Sequence, residues 1–148
     1  HKVMLLTDEE GLTVSDSQWK GDFGDWMTFR ILWEYGLFED YQENVEGTMG
    51  SIRADFKARG ERLVEDKNME PHWVYEDMWL VKLKDELVRY RGTVEAGNAK
   101  EVVLFLCSSL GEKELTHLRG KLSDWFDDLS WLKVCNGKEE FAKYLTGY

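Results

Sequence analysis

MEPHWVYEDMWLVKL, residues Met69 to Leu83, holds the chain's only proline, two of its seven tryptophans and the acidic pair Glu76-Asp77. From Trp73 onward it alternates: Trp73, Tyr75, Asp77, Trp79, Val81 and Leu83 fall on one side, Val74, Glu76, Met78, Leu80 and Lys82 on the other. That period of two predicts a strand. Pro71 just ahead of it is compatible, because a missing N–H is tolerated where a ladder begins. A tryptophan delivered together with a carboxylate offers a flat apolar face and an acceptor for N–H donors, which suits a purine-like base, above all a cationic one. The same tryptophans also serve as core aromatics of a half-buried strand.

Composition narrows the classes. At 148 residues the chain reads as one domain, 1–148, large enough to bury a core. A net charge of −10 argues against tracking a long nucleic-acid backbone, which needs clustered Lys and Arg, and favours basic partner surfaces. Seven tryptophans supply more stacking area than a core of this size requires. The two cysteines, Cys107 and Cys135, stand without a CxxC or a Cys/His cluster, so no metal or other cofactor is expected, and their pairing is left open. No apolar run reaches the ~20 residues of a membrane helix, and a cytoplasmic protein with no membrane partner is expected.

Outward from the quoted stretch, Val3 to Leu6 predicts a short first strand, and the polar loop after it ends by presenting Trp19. Residues 22–35 predict an amphipathic helix ended by Gly36, with Trp26 left to face a partner. Residues 51–67 read as a helix or an irregular insertion whose mixed charges make a solvated face. Asn98 ahead of AKEVVLFLCSSLGE favours a capped helix, although the apolar run also fits a buried strand. Strand-like pieces follow at Leu115–Leu118 and Leu129–Cys135, then a short helix from Lys138 to Leu145. The expected architecture is α+β: a mainly antiparallel curved sheet with helices on its convex face.

Catalytic signatures are absent: no GxSxG, no glycine-rich phosphate loop, no HExxH, and scattered histidines. A binding module, with no enzymatic activity and no catalytic residue, is therefore expected. Trp19 after the first strand, the Glu-Pro-His-Trp run ending at Trp73, the helix GDWMTFRILWEY, the run VVLFLCSSLGE and the basic turn LRGK ahead of Trp125 occur in an order that resembles the cap-binding translation initiation factor 4E family. The resemblance implies binding of the 7-methylguanosine cap of mRNA in translation initiation or its regulation. Trp19 and Trp73 would stack the base, Glu76 would read its edge, and Arg119 and Lys121 would meet the phosphates. Trp26, Leu106 and Leu110 would receive a helical peptide motif of a scaffold or repressor protein. The family's glutamate directly after the second tryptophan is Val74 here. The competing reading is an acidic protein-interaction module, such as an inhibitor, immunity protein or viral or pathogen effector, covering a basic partner surface.

Overall fold

The computed structural model describes residues 16–40, 45–46, 53–54 and 56–147. The expected first strand, Val3 to Leu6, lies outside them.

Helix α1 runs from Asp16 to Glu34, nearly two turns longer at its start than predicted. It closes as expected at Gly36, whose φ of 66° only glycine adopts freely. Leu37 N–H donates to the Leu32 carbonyl at 2.9 Å and Gly36 N–H to the Trp33 carbonyl at 3.1 Å, the two bonds of a Schellman stop. Three-residue strand β1 (Phe38–Asp40) and the two-residue strands β2 (Val45–Glu46) and β3 (Arg53–Ala54) follow. Next come β4 (Phe56–Ala58) and β5 (Arg62–Lys67), joined at Gly60 and Glu61. The described residues between 53 and 67 are thus mostly sheet. In β5, Leu63, Val64, Glu65 and Asp66 are all buried, which overturns the solvated face expected there.

The quoted stretch is not a strand. Pro71–Tyr75 forms a 3₁₀ turn, and helix α2 runs from Asp77 to Glu95 with Glu76 at its N-cap. Its buried positions, Leu80, Leu83, Leu87 and Tyr90, recur at three and four residues, a period that shows only beyond Leu83. Pro71 opens the 3₁₀ turn, where its missing N–H costs nothing, and does not head a ladder. The predicted helix after Asn98 is instead strand β6, Glu101–Leu106, with every residue from Val102 to Leu106 buried. A strand covered on both faces is apolar throughout, so its sequence imitates a buried helix. The Leu115–Leu118 strand is in fact part of helix α3, Glu112–Trp125, which buries Leu118 and Leu122 one turn apart. Strand β7 (Leu132–Asn136) and helix α4 (Lys138–Thr146) stand close to where they were expected.

The main sheet has the order β1-β4-β5-β6-β7. β5 lies parallel to β6 from Arg62↔Glu101 to Lys67↔Leu106, and β6 parallel to β7 from Val102↔Leu132 to Leu106↔Asn136. Among the described residues, antiparallel pairing is confined to the short β1–β4 and β4–β5 ladders of this sheet and to the separate β2–β3 pair. The expected mainly antiparallel sheet is therefore corrected to a mixed one whose three longest strands are parallel. Two helical connections impose this: α2 carries the chain from β5 to β6 and α3 from β6 to β7.

The helices also cover both faces rather than one convex face. Leu63, Val102, Leu104, Leu106 and Val134 point into one core with Leu80, Leu83 and Leu87 of α2 and Leu118 and Leu122 of α3. Val64, Val103, Phe105 and Cys135 point the other way, against Ile31 and Leu32 of α1 and Phe141 and Leu145 of α4. Phe105 and Phe141 stack with centroids 4.1 Å apart. Both cysteines are free thiols, and among the described residues no helix is long and apolar enough to cross a membrane.

Candidate functional site

In open sheets with helices on both faces, ligands bind beyond the carboxyl ends of parallel strands. At that end of β5 the structure has a cleft of about 350 Å³. Gly21 and Asp25 of α1 line one wall; Trp79, Lys82, Leu83 and Glu86 of α2 line the other. Glu65, Asp66, Lys67, Asn68 and Met69 form its floor, and Trp73 of the 3₁₀ turn completes it.

Strand alternation distributes the three charges of Glu65-Asp66-Lys67. Glu65 and Lys67 share the face covered by α2, and Asp66 turns toward α1. The Lys67 ammonium sits 3.1 Å from Glu65 Oε2 and 2.8 Å from Glu86 Oε1. Tyr90, one turn beyond Glu86, donates its hydroxyl to Glu65 Oε1 at 2.6 Å. Burial raises the Glu65 carboxyl above its ordinary value, against the lowering effects of Lys67 and Tyr90. Burial also opposes the charge on Lys67, but the carboxylates of Glu65 and Glu86 outweigh it and hold its pKa above the usual lysine value. Lys67 is therefore a fixed cation at neutral pH and unsuited to act as a base.

Gly24 brings α1 against this end of the strand. A Cβ there would stand 2.9 Å from Asp66 Oδ1, 3.1 Å from the Asn68 Cβ and 3.4 Å from the Cys107 sulfur. Gly24→Ala is expected to destabilise the protein by about 1–3 kcal/mol through overpacking, exceeding the ~1 kcal/mol that alanine gains within a helix. Urea denaturation checks this; a more stable variant would contradict the close approach of α1 to β5.

The residues singled out in the sequence are dispersed by this fold. Trp73 is half-buried and lines the cleft. Glu76 is exposed, with its carboxylate 3.5 Å from the ring nitrogen of His72, and is not among the cleft residues. Trp19 falls in the first turns of α1, whose side chains lie outside the described part. Arg119 and Lys121 belong to α3, and Arg119 lines a different depression, with Leu129 and Lys133. Trp26 is 53% exposed on α1, but Leu106 and Leu110 are buried in the core on the opposite side of the sheet. These three residues do not share one surface.

Asp25, Glu65, Asp66, Lys67, Glu86, Tyr90 and Trp79 were not singled out from the sequence. Two signals for them were present. Glu65 and Lys67 stand two apart just after Leu63 and Val64, as neighbours on one strand face do. Glu86 and Tyr90 stand four apart, as neighbours on one helix face do. Among the described residues, no three His, Cys, Asp or Glu side chains gather into a ready-made cation site. Set beside known proteins, the chain matches no family model, no curated protein and no solved structure.

Proposed function

We propose that this protein hydrolyses phosphodiester bonds in a nucleic acid, with the assistance of a divalent cation, at the cleft between α1 and α2. The observation that carries the reading is Lys67, an ammonium kept charged by Glu65 and Glu86 at the carboxyl end of a central strand, in a cleft that Asp66 and Asp25 also line. Four carboxylates line this cleft against two ammonium groups, so a phosphate enters only with additional positive charge. Magnesium is commonly held by one or two carboxylates together with substrate phosphate, and such an open arrangement suits these residues better than a closed cage. The cation would polarise the phosphoryl oxygen and lower the pKa of water.

The chain's own groups do the rest. Lys67 holds positive charge where the phosphoryl oxygens gain negative charge during displacement. Glu65, with its carboxyl raised by burial, is a better proton acceptor than an exposed carboxylate. Water adds to phosphorus and the bond to the leaving sugar oxygen breaks. One water proton ends on that oxygen by way of Glu65, and the other stays on the new phosphomonoester.

A second reading, binding of a 7-methylguanosine nucleotide without cleavage, has one specific support: Trp73 lines the same cleft as the carboxylates. One experiment separates the two. Capped and uncapped RNA and a DNA oligonucleotide are incubated with the protein in Mg²⁺ or Mn²⁺, with EDTA controls and an Asp66→Asn variant whose folding is checked by circular dichroism. The proposal expects cleavage that needs the cation and falls at least a hundredfold in Asp66→Asn. Intact substrates, with selective retention of the capped RNA, would favour the second reading and overturn the first.

A further inference from the structure

We infer that Trp73 and Trp79 form a stacking subsite for an unpaired base, so that the substrate is single-stranded nucleic acid or a frayed end rather than continuous duplex. This rests on the hydrolytic reading above. The two indoles come from different elements, the 3₁₀ turn and the first turn of α2, yet both line the cleft that contains Lys67 and both are half-buried. Each packs one part against the core of the α2 and α3 side. A half-buried tryptophan whose remaining surface lines a polar cleft is placed to take a flat partner. Bases stack on aromatic side chains without regard to sequence, because every base has a π face.

Size and charge point the same way. About 350 Å³ lies near the lower end of small-ligand pockets and admits one nucleotide unit, not a base pair with both its strands. A duplex binder neutralises many phosphates along a basic track, whereas this chain carries a net charge of −10 and the cleft wall offers Lys82. Gripping a single base supplies affinity that the charge balance withholds, and it holds the next phosphodiester near Lys67.

The experiment uses the full chain with fluorescein-labelled oligonucleotides, single-stranded and blunt duplex, in both RNA and DNA forms. Cleavage is followed in Mg²⁺ and binding in Ca²⁺. Single strands are expected to be cleaved at least tenfold faster than duplexes. Trp73→Ala and Trp79→Ala should each raise KM for the single strand by about 5- to 100-fold with less effect on kcat. Trp79→Phe and Trp73→Phe, which keep an aromatic face and the packing, should recover most of that loss. Equal cleavage of single strands and duplexes, or alanine variants with unchanged KM, would overturn the stacking subsite while leaving hydrolysis standing. No cleavage of any substrate would overturn the hydrolytic reading and this inference with it.

Discussion

Lys67→Met is expected to destabilise the protein by about 3–5 kcal/mol at neutral pH, because it removes the one ammonium between two largely buried carboxylates. The methionine fills similar volume, so the loss is electrostatic and not a packing defect. Its pH dependence identifies it. Lys67 in the folded protein has a raised pKa, so its contribution is fully present below the ordinary lysine value of 10.5 and is lost as pH rises through the folded value. Glu65 is raised above its ordinary 4.5 by burial, and losing Lys67 pushes it further up. The folded variant therefore binds protons more readily than its unfolded chain, and acidification relieves it. The difference in unfolding free energy between wild type and variant should be widest between these two pH values and should shrink as pH falls through the carboxylate range. A second change, Glu65→Gln, should recover part of the loss. A difference independent of pH would mean that the ion pairs do not hold this end of β5 together.

Phe105→Ala is expected to cost about 3–5 kcal/mol by transfer and cavity terms together. Phe105 is fully buried in the middle strand of the parallel trio and stacks on Phe141, so truncation empties the space under α4. Neither ring lines the cleft. Surviving folded molecules should thus retain the wild-type affinity of the cleft while the urea midpoint falls. A cost below 1 kcal/mol would show that α4 does not seal this core.

Three elements were legible, each where one periodicity stood alone. The residues of α1 before Gly36, β7 and the amphipathic α4 announced themselves because each pairs a clear pattern with its own stop signal. The errors have two physical origins. Trp73 to Leu83 alternates by accident over a window as long as a strand, and the helical period appears only when Leu87 and Tyr90 are added. Val102 to Leu106 is apolar on both faces because helices cover both, which erases the alternation that marks a strand. The wrong sheet follows from these and from the strand expected at Leu115–Leu118: strands at 73–83 and 115–118 replace the two helical connections that make β5, β6 and β7 parallel, and a helix over 99–112 replaces β6 itself.

The site was less legible than the fold. Lys67 and Glu65 are separated from Glu86 and Tyr90 by some twenty residues, and their contacts exist only once α2 folds back onto β5. In the sequence, GERLVEDKN reads as an ordinary charged surface, because nothing local says that Glu65 and Asp66 are 5% and 6% exposed. Trp73 does stand in a cleft with carboxylates, but those that line it are Asp25, Glu65, Asp66 and Glu86; Glu76 meets Trp73 only through a backbone N–H to its carbonyl at 2.9 Å.

Calorimetric titration of Mn²⁺ into the wild-type protein and into Asp66→Asn and Asp25→Asn tests cation-assisted cleavage at this cleft most directly. One weak site is expected in the wild type, tightening when a non-hydrolysable oligonucleotide is added, since the phosphate completes the coordination. Both variants should lose the site. Absence of Mn²⁺ binding with and without the oligonucleotide, or binding unchanged in both variants, would contradict cation-assisted cleavage there.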